Sequence, residues 1–459
     1  MTGLRAIIIA AFLAVVATPW IAQRLTGQSA QRKADHAPGT PKLVIVTPHV
    51  EQIRTEFARG FSAWHQRNFG SPVHIDWRTP GGTAEIRKQL EAQITAAVRN
   101  GKCTIIPAPK ITKPGREKPV EFEAIVNAQD ADLPDLFLGG GSFEHGQIKS
   151  GLTLDITRDG KPIVVRARVS APPSPAPFAQ SELDAIYGDN VIGIEPLYDA
   201  DQYWFGTALS AFGIVYNREL LAARKIPEPT SFADLGDVRY VGLLAMSDPR
   251  QSGSVATLYD SILNKEGWER GWKILREMSA NARYFSAAST QPPQDVSQGE
   301  SLAGVAIDFY GRGQAQSILR PGEKPGQGRV GYIDPPGGVY IDADPVSIVN
   351  GSRSPELAKK FVQFMLTEEG QALWQYTPKG EPGSENNPLI DASKPELGRL
   401  GPSEYRLRRL PVRRVMYDEK HLPLLTDQTD PFKLAAQSKP RGWRDAIAPL
   451  MGAFAIDTS

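Results

Sequence analysis

The sequence predicts an α/β fold built on a largely parallel sheet. Three observations carry that reading. Short apolar runs alternate with amphipathic stretches of helical period, small polar residues gather in the loops between them, and the chain is long enough for two such units. It has 459 residues, 41 % apolar and 22 % charged, an ordinary globular balance with material for a sizeable core.

Residues 6–22, AIIIAAFLAVVATPWIA, make an uncharged apolar run of seventeen after Arg5, followed by Arg24, Arg32 and Lys33. That length falls between the ~7–15 apolar residues of a signal peptide and the ~20 of a comfortable membrane span. Residues 1–24 are therefore a signal peptide or a membrane anchor. The anchor is favoured, because cleavage after Ala17 leaves a very short apolar core and Ala22 has bulky Trp20 two positions before it. Either reading places the rest outside the cytoplasm. Residues 25–41 are polar and read as a flexible tether.

Beyond the tether, LVIV (43–46) predicts a strand, and Ile53, Phe57, Phe61 and Trp64 lie on one face of a helix over 51–69. The unit repeats. VHIDW (73–77) is a strand, RTPGGT a loop, and Ile86, Leu90, Ile94 and Ala97 stripe the helix that follows. A third strand, DLFLG, runs into Gly139–Ser142. Between them, residues 100–132 carry prolines and charges and read as a surface insertion, as does APPSPAP at 171–177. Further strands are expected at 212–217, 240–246 and 303–307. Helices are expected over 255–263 and 266–281, and from Ser354 to Trp374 behind a Ser–Pro start. From about 376 the chain is turn-rich, then reaches the basic run YRLRRLPVRR, read as a solvated basic face.

In such folds ligands sit beyond the carboxyl ends of strands, where loops meet helix N-termini. The small polar residues fall there: Thr47–His49, Gly82 with Thr83, Gly140–Ser142, and Ser252–Ser254. Glycine leaves backbone N–H groups unobstructed and hydroxyls donate or accept, so the shared preference is for an anion. Ser254 alone suffices to cap the helix starting at Val255, so the extra Ser252 and Gly253 suggest a ligand loop. Asp308 and Tyr310 end another strand and suit either a cationic group or the solvated mouth of a cleft. His49 and His145 are candidate metal ligands, although their spacing matches no recognised pattern.

Composition removes several classes. Fifty-two basic and fifty-one acidic residues give a net charge of +1, which offers no whole-molecule field for nucleic acid. Cys103 is the only cysteine, excluding an intramolecular disulfide and any multi-cysteine metal site. No GxxxxGK[ST] loop, GxSxG elbow, HExxH pair or glycine fingerprint at the first strand occurs, so the reading is a binder and not an enzyme, with no cofactor implied.

The ordered stretches GTALSAFGIVYN, FADLGDVRYVGLLAMSDPRQSGS, GESLAGVAIDFYGRGQAQ and SPELAKKFVQFMLTEEGQALW resemble the extracellular solute-binding proteins of ABC transporters, in the ferric-iron or phosphonate branch. The resemblance covers most of residues 42–380. It implies a two-lobed periplasmic-binding-protein type II fold with a central cleft, closing on a solute and delivering it to a membrane permease. Lobe one would hold 42–205, lobe two 206–344 with the crossing strands, and 345–459 the return to lobe one and an extension. Carried over by position, the ligand loops are Thr47 and His49, Gly82 and Thr83, Gly140, Gly141 and Ser142, Ser210, Ser252, Gly253 and Ser254, and Asp308 and Tyr310. Iron-binding relatives carry two adjacent tyrosines where this chain has Phe309 and Tyr310. Tyr310 and His49 are thus metal ligands only if the solute is ferric iron. The resemblance also implies a monomer in the periplasm. A sensor on the same fold, a secreted enzyme and a structural surface protein are the alternatives.

Overall fold

A computed structural model describes residues 39–108, 120–129, 132–172, 176–193, 195–323, 326–335, 340–435 and 442–457. The apolar run at 6–22, most of the tether and parts of both proline-rich stretches lie outside the described residues.

The chain opens with β1 (Lys42–Val46), α1 (Glu51–Phe69), β2 (His74–Arg78) and α2 (Thr83–Arg99). The strands pair in parallel with Leu43 opposite Ile75, as a strand–helix–strand crossover requires. α1 buries Ile53, Phe57 and Phe61, and ends where Gly70 takes the left-handed conformation at φ 80°.

The stretch at 100–132 departs from the expected irregular insertion. It contains β3 (Cys103–Pro107) and β4 (Phe122–Val126), followed by β5 (Leu136–Leu138) and α3 (Ser142–Ser150). A hairpin, β6 (Leu152–Arg158) with β7 (Lys161–Ala167), and then α4 (Gln180–Tyr187) come next. β3, β4, β7 and β6 make a separate four-stranded sheet. Its Ala124, Val126, Val165 and Ala167 pack on Ile86, Leu90, Ile94 and Val98 of α2. The pairing of β4 with β7 spans some forty residues, and no local pattern encodes such a partner.

β8 (Phe205–Asn217) is buried along its whole length and belongs to both lobes. α5 (Arg218–Ala223), β9 (Leu244–Ser247), α6 (Gly253–Glu266), α7 (Trp268–Ala280), β10 (Ala282–Ser286), α8 (Gln291–Gln298), β11 (Ala303–Ile307), α9 (Asp308–Ser317) and β12 (Val330–Ile333) follow it. β13 (Ile341–Ile348) returns. β8 pairs with β13 over Phe205–Ala211, and with β11 and β12 from Phe212 onward. The principal sheet runs β10-β9-β11-β8-β13-β5-β1-β2. Two α/β lobes therefore share crossing strands, as expected. The strand expected from 240 begins only at Leu244, because Val238–Tyr240 form a 3-10 turn.

The single helix expected over 354–374 is two, α10 (Pro355–Leu366) and α11 (Glu368–Gln375). Thr367 is extended, and its hydroxyl accepts from the Gly370 N–H at 3.0 Å, capping the second helix. The C-terminal region then packs back onto both lobes through β14 (Leu410–Pro411), α12 (Pro431–Leu434) and α13 (Arg444–Met451). Its anchor is Glu56 on the buried face of α1. That carboxylate accepts from the N–H groups of Ser403, Glu404 and Tyr405 at 2.6–2.8 Å. β14 then pairs with β8, Leu410 opposite Leu209.

Candidate functional site

A cavity of about 350 Å³ lies between the lobes, within the ~300–1,000 Å³ range of small-molecule sites. Residues at five helix N-termini line it: His49 and Val50 before α1, Gly82 and Thr83 at α2, Ser252 and Ser254 at α6, Ser289 and Thr290 before α8, and Phe309 and Tyr310 at α9. Four of these helices, α1, α2, α8 and α9, have no side-chain cap. Backbone N–H groups of a helix's first turn lack intrahelical partners and carry the positive end of the dipole, so convergence of several ends selects for negative charge.

The lobes almost meet across this space. A Cβ placed on Gly82 would lie 2.6 Å from the carbonyl oxygen of Gln251 on the opposite lobe. A second bridge lies at the rim, where Arg444 of α13 donates to Glu144 Oε1 at 3.0 Å and to the Gly253 carbonyl at 2.9 Å.

The floor is a charged cluster. Arg409 Nη1 lies 2.7 Å from Asp344 Oδ2 and 2.7 Å from His49 Nε2, and Nη2 donates to Ser210 Oγ. The guanidinium stacks on Phe309 at 4.2 Å from its centroid. His49 is aimed by Thr47, whose hydroxyl sits 2.9 Å from Nδ1, and its Nε2 is 2.9 Å from Asp344. Burial pushes the Asp344 carboxyl up, but Arg409, His49 and the Gly140 N–H outweigh it and hold the group below its ordinary range. Asp344 is therefore ionised. Asp342 behaves oppositely: burial, with Glu195 adding to it, drives its pKa well above the carboxylate range despite the Ser142 N–H donor. Burial likewise pushes the Tyr310 phenol up to about 12, against the pull of Arg409.

Of the residues expected from sequence, His49, Gly82, Thr83, Gly140, Ser210, Ser252, Ser254 and Tyr310 line the cavity. The others do not. Thr47 is fully buried behind His49. Ser142 and Gly141 sit against Asp342, with the Ser142 N–H 3.2 Å from its carboxylate, so the α3 N-terminus is already satisfied within the protein. Gly253 packs on Glu144, where a Cβ would come within 2.5 Å of the carboxylate. Asp308 is wholly buried, and burial pushes its carboxyl up to about 7. His145 is buried between Ser347 Oγ (2.7 Å) and the Gly139 carbonyl (3.1 Å), and burial lowers its pKa to about 4, keeping it neutral. The capping assignment is also corrected. Ser252 caps α6, its hydroxyl accepting from the Val255 N–H, while Ser254 lies inside the first turn.

Sequence reasoning missed Ser289, Thr290, Asp342, Asp344 and Arg409. A strand (YFS) running into AAST before a helix was a legible signal for the first two. Arg409 had none: the basic run at 405–414 was expected to be solvated, yet the Arg409 side chain is 4 % exposed. Its neighbour Arg408 holds a left-handed φ of 60° and pairs with Asp427, which turns the two side chains in different directions.

Residues 178–396 match the family of bacterial extracellular solute-binding proteins. The phosphoglycerate transport regulatory protein PgtC of Salmonella typhimurium is 30 % identical over 206 residues, 44 % of this chain and 48 % of that protein. Iron uptake protein A1 of Synechocystis is 26 % identical over 187 residues, 39 % of this chain and 49 % of that one. The chain thus spans about half the length of the curated relatives it matches. Among solved structures, the periplasmic binding protein AfuA of Actinobacillus pleuropneumoniae, with fructose-6-phosphate bound, aligns over 91 % of this chain and 99 % of its own with a TM-score of 0.54 at 16 % identity. The ferric binding protein of Campylobacter jejuni aligns over 90 % and 98 %, with a TM-score of 0.53 at 15 % identity. These similarities establish the periplasmic-binding-protein fold.

Proposed function

From the premise that residues 178–396 form a bacterial extracellular solute-binding domain, we propose that the protein is the receptor of an ABC importer for a small organic anion of phosphate or phosphonate type. It captures the solute outside the cytoplasm, between the lobes, and presents it to a membrane permease. The observation that carries this reading is the convergence of five helix N-termini, four of them without a side-chain cap, on one cavity. Micromolar affinity is about 8 kcal/mol, and hydrogen bonds to a charged group contribute about 1.5–3 kcal/mol each. Four to six donors from these loops supply that and part of the ordering cost. A solute touching both lobes stabilises the closed form, which is the signal a permease reads.

Ferric ion as cargo fits these residues poorly. Tyr310 is the only tyrosine among the described cavity residues, Phe309 stands beside it, and the phenol is held protonated at neutral pH. Among the described residues, no group of three or more His, Cys, Asp or Glu side chains is placed to hold a metal ion. A sensor role on the same fold is the second reading, favoured by the regulatory description of PgtC. No helix among the described residues is long and apolar enough to cross a membrane, so anchoring rests on residues 6–22. The molecule acts as a monomer, without nucleic acid or cofactor.

The test is thermal unfolding of a fragment beginning near Ala34 with phosphoglycerate, fructose-6-phosphate, a phosphonate, inorganic phosphate, sulfate, and ferric citrate against citrate. A ligand at a hundred times its Kd adds about 2.7 kcal/mol of stability. A shift with the phosphorylated or phosphonate probes supports the reading. A shift with ferric citrate beyond that with citrate, and with none of the anions, refutes it.

A further inference from the structure

A buried charged group on the floor of the cleft comes from outside the stretch that matches the solute-binding family. Arg409 lies beyond residue 396, carried in by β14 and anchored through Glu56. Its surroundings are those of a bound cation. An ionised carboxylate and an imidazole nitrogen, themselves 2.9 Å apart, both lie 2.7 Å from Nη1. A hydroxyl oxygen faces Nη2 and an aromatic face lies beneath. Nε has no hydrogen-bond partner among the described residues, although the side chain is almost wholly buried and borders the cavity.

We infer that Arg409 is a tethered counter-cation that fills the cation position of the cleft and thereby determines its specificity, barring metal ions and leaving the site to an anion. The argument is electrostatic. Without Arg409, Asp344 and His49 would present an anionic pair of oxygen and nitrogen donors at the cavity floor, which suits a metal cation. With it, the pair is neutralised and both donor atoms are engaged. Burial holds the Asp342 carboxyl well above the ordinary carboxylate range, which disfavours a second negative charge on the floor. The helix N-termini above it set the sign of the site. A guanidinium does this better than an ammonium because its planar fork reaches carboxylate, imidazole and hydroxyl together while stacking on Phe309.

This inference rests on the anion-receptor reading, and its test is separable from it because the probes are cations. Arg409→Ala is compared with the wild type by thermal unfolding in 1–20 mM guanidinium chloride, with equal sodium chloride as control, and by calorimetric titration with zinc chloride. Guanidinium is expected to restabilise the variant and leave the wild type unmoved, and zinc to bind the variant at least tenfold more tightly. Arg409→Lys, which keeps the charge, is expected to exclude zinc as the wild type does. Arg409→Gln carries the same readings if the alanine variant fails to fold. Equal zinc affinity in wild type and variant overturns the inference, as does a guanidinium effect no larger than that of sodium chloride. Loss of binding in the anion panel leaves these outcomes unaffected and bears only on the proposed function.

Discussion

Gly82→Ala tests whether lobe closure controls capture. Gly82 has φ −72°, which alanine adopts without strain, so the only penalty is the contact its Cβ makes across the cleft. That atom would lie 2.6 Å from the Gln251 carbonyl oxygen, ~0.7 Å inside the ~3.3 Å at which carbon and carbonyl oxygen rest. The opposing group is backbone at the start of a helix and cannot swing aside. Overpacking of this kind costs about 1–3 kcal/mol, charged to the closed form alone because the open form separates the two atoms. The closed population, and with it the affinity, should fall roughly 5- to 150-fold. Calorimetric titration with whichever of phosphoglycerate and fructose-6-phosphate binds the wild type measures this, alongside the unliganded melting temperature, expected to move little. Gly146→Ala is the control, since its added Cβ meets nothing within 4 Å. An unchanged Kd for Gly82→Ala, or an equal loss in Gly146→Ala, refutes closure between Gly82 and Gln251 as the controlling step.

Arg444→Ala leaves Glu144, whose side chain is 3 % exposed, without its cation. A stability loss of about 3 kcal/mol is expected from a broken buried pair, and adding Glu144→Gln should recover most of it in denaturant unfolding; no recovery places the loss elsewhere. Asp308→Asn tests the buried carboxyl whose pKa is raised to about 7. Between the unfolded value near 4 and that folded value the native state holds a proton the unfolded chain has released, so wild-type stability falls as pH rises through this window, by about 4 kcal/mol at most. The asparagine variant should lack that slope, and parallel melting curves from pH 4 to 8 would contradict it.

The sequence by itself determined the alternation of strands and helices, because burial on a shared face writes a period that a chain must carry locally. Thus Ile53, Phe57 and Phe61 announced α1, and AGVAI announced β11 to the residue. The polar loops after the strands marked six positions of the cavity wall, His49, Gly82, Thr83, Gly140, Ser252 and Ser254, for the same reason: helix ends need caps, turns and free N–H groups, and few residue types supply them. Tertiary structure alone decided the rest. β3 and β4 looked like an insertion because the strand that joins their hairpin to the rest of its sheet, β7, is distant in sequence. Ser142 and Gly253 looked like ligand positions until Asp342 and Glu144 arrived from other elements to satisfy or fill them. Asp342 and Asp344 fall in a strand whose residues are all buried, and whether burial raises such a carboxyl or a neighbouring cation holds it down depends on what other elements place beside it. Arg409 is the clearest case. Read in a basic run, it belongs to solvent. It reaches the floor of the cleft because Glu56 gathers the backbone at 403–405, β14 pairs with β8, and Arg408 turns through a left-handed conformation. None of those constraints is local, so no local pattern could carry them.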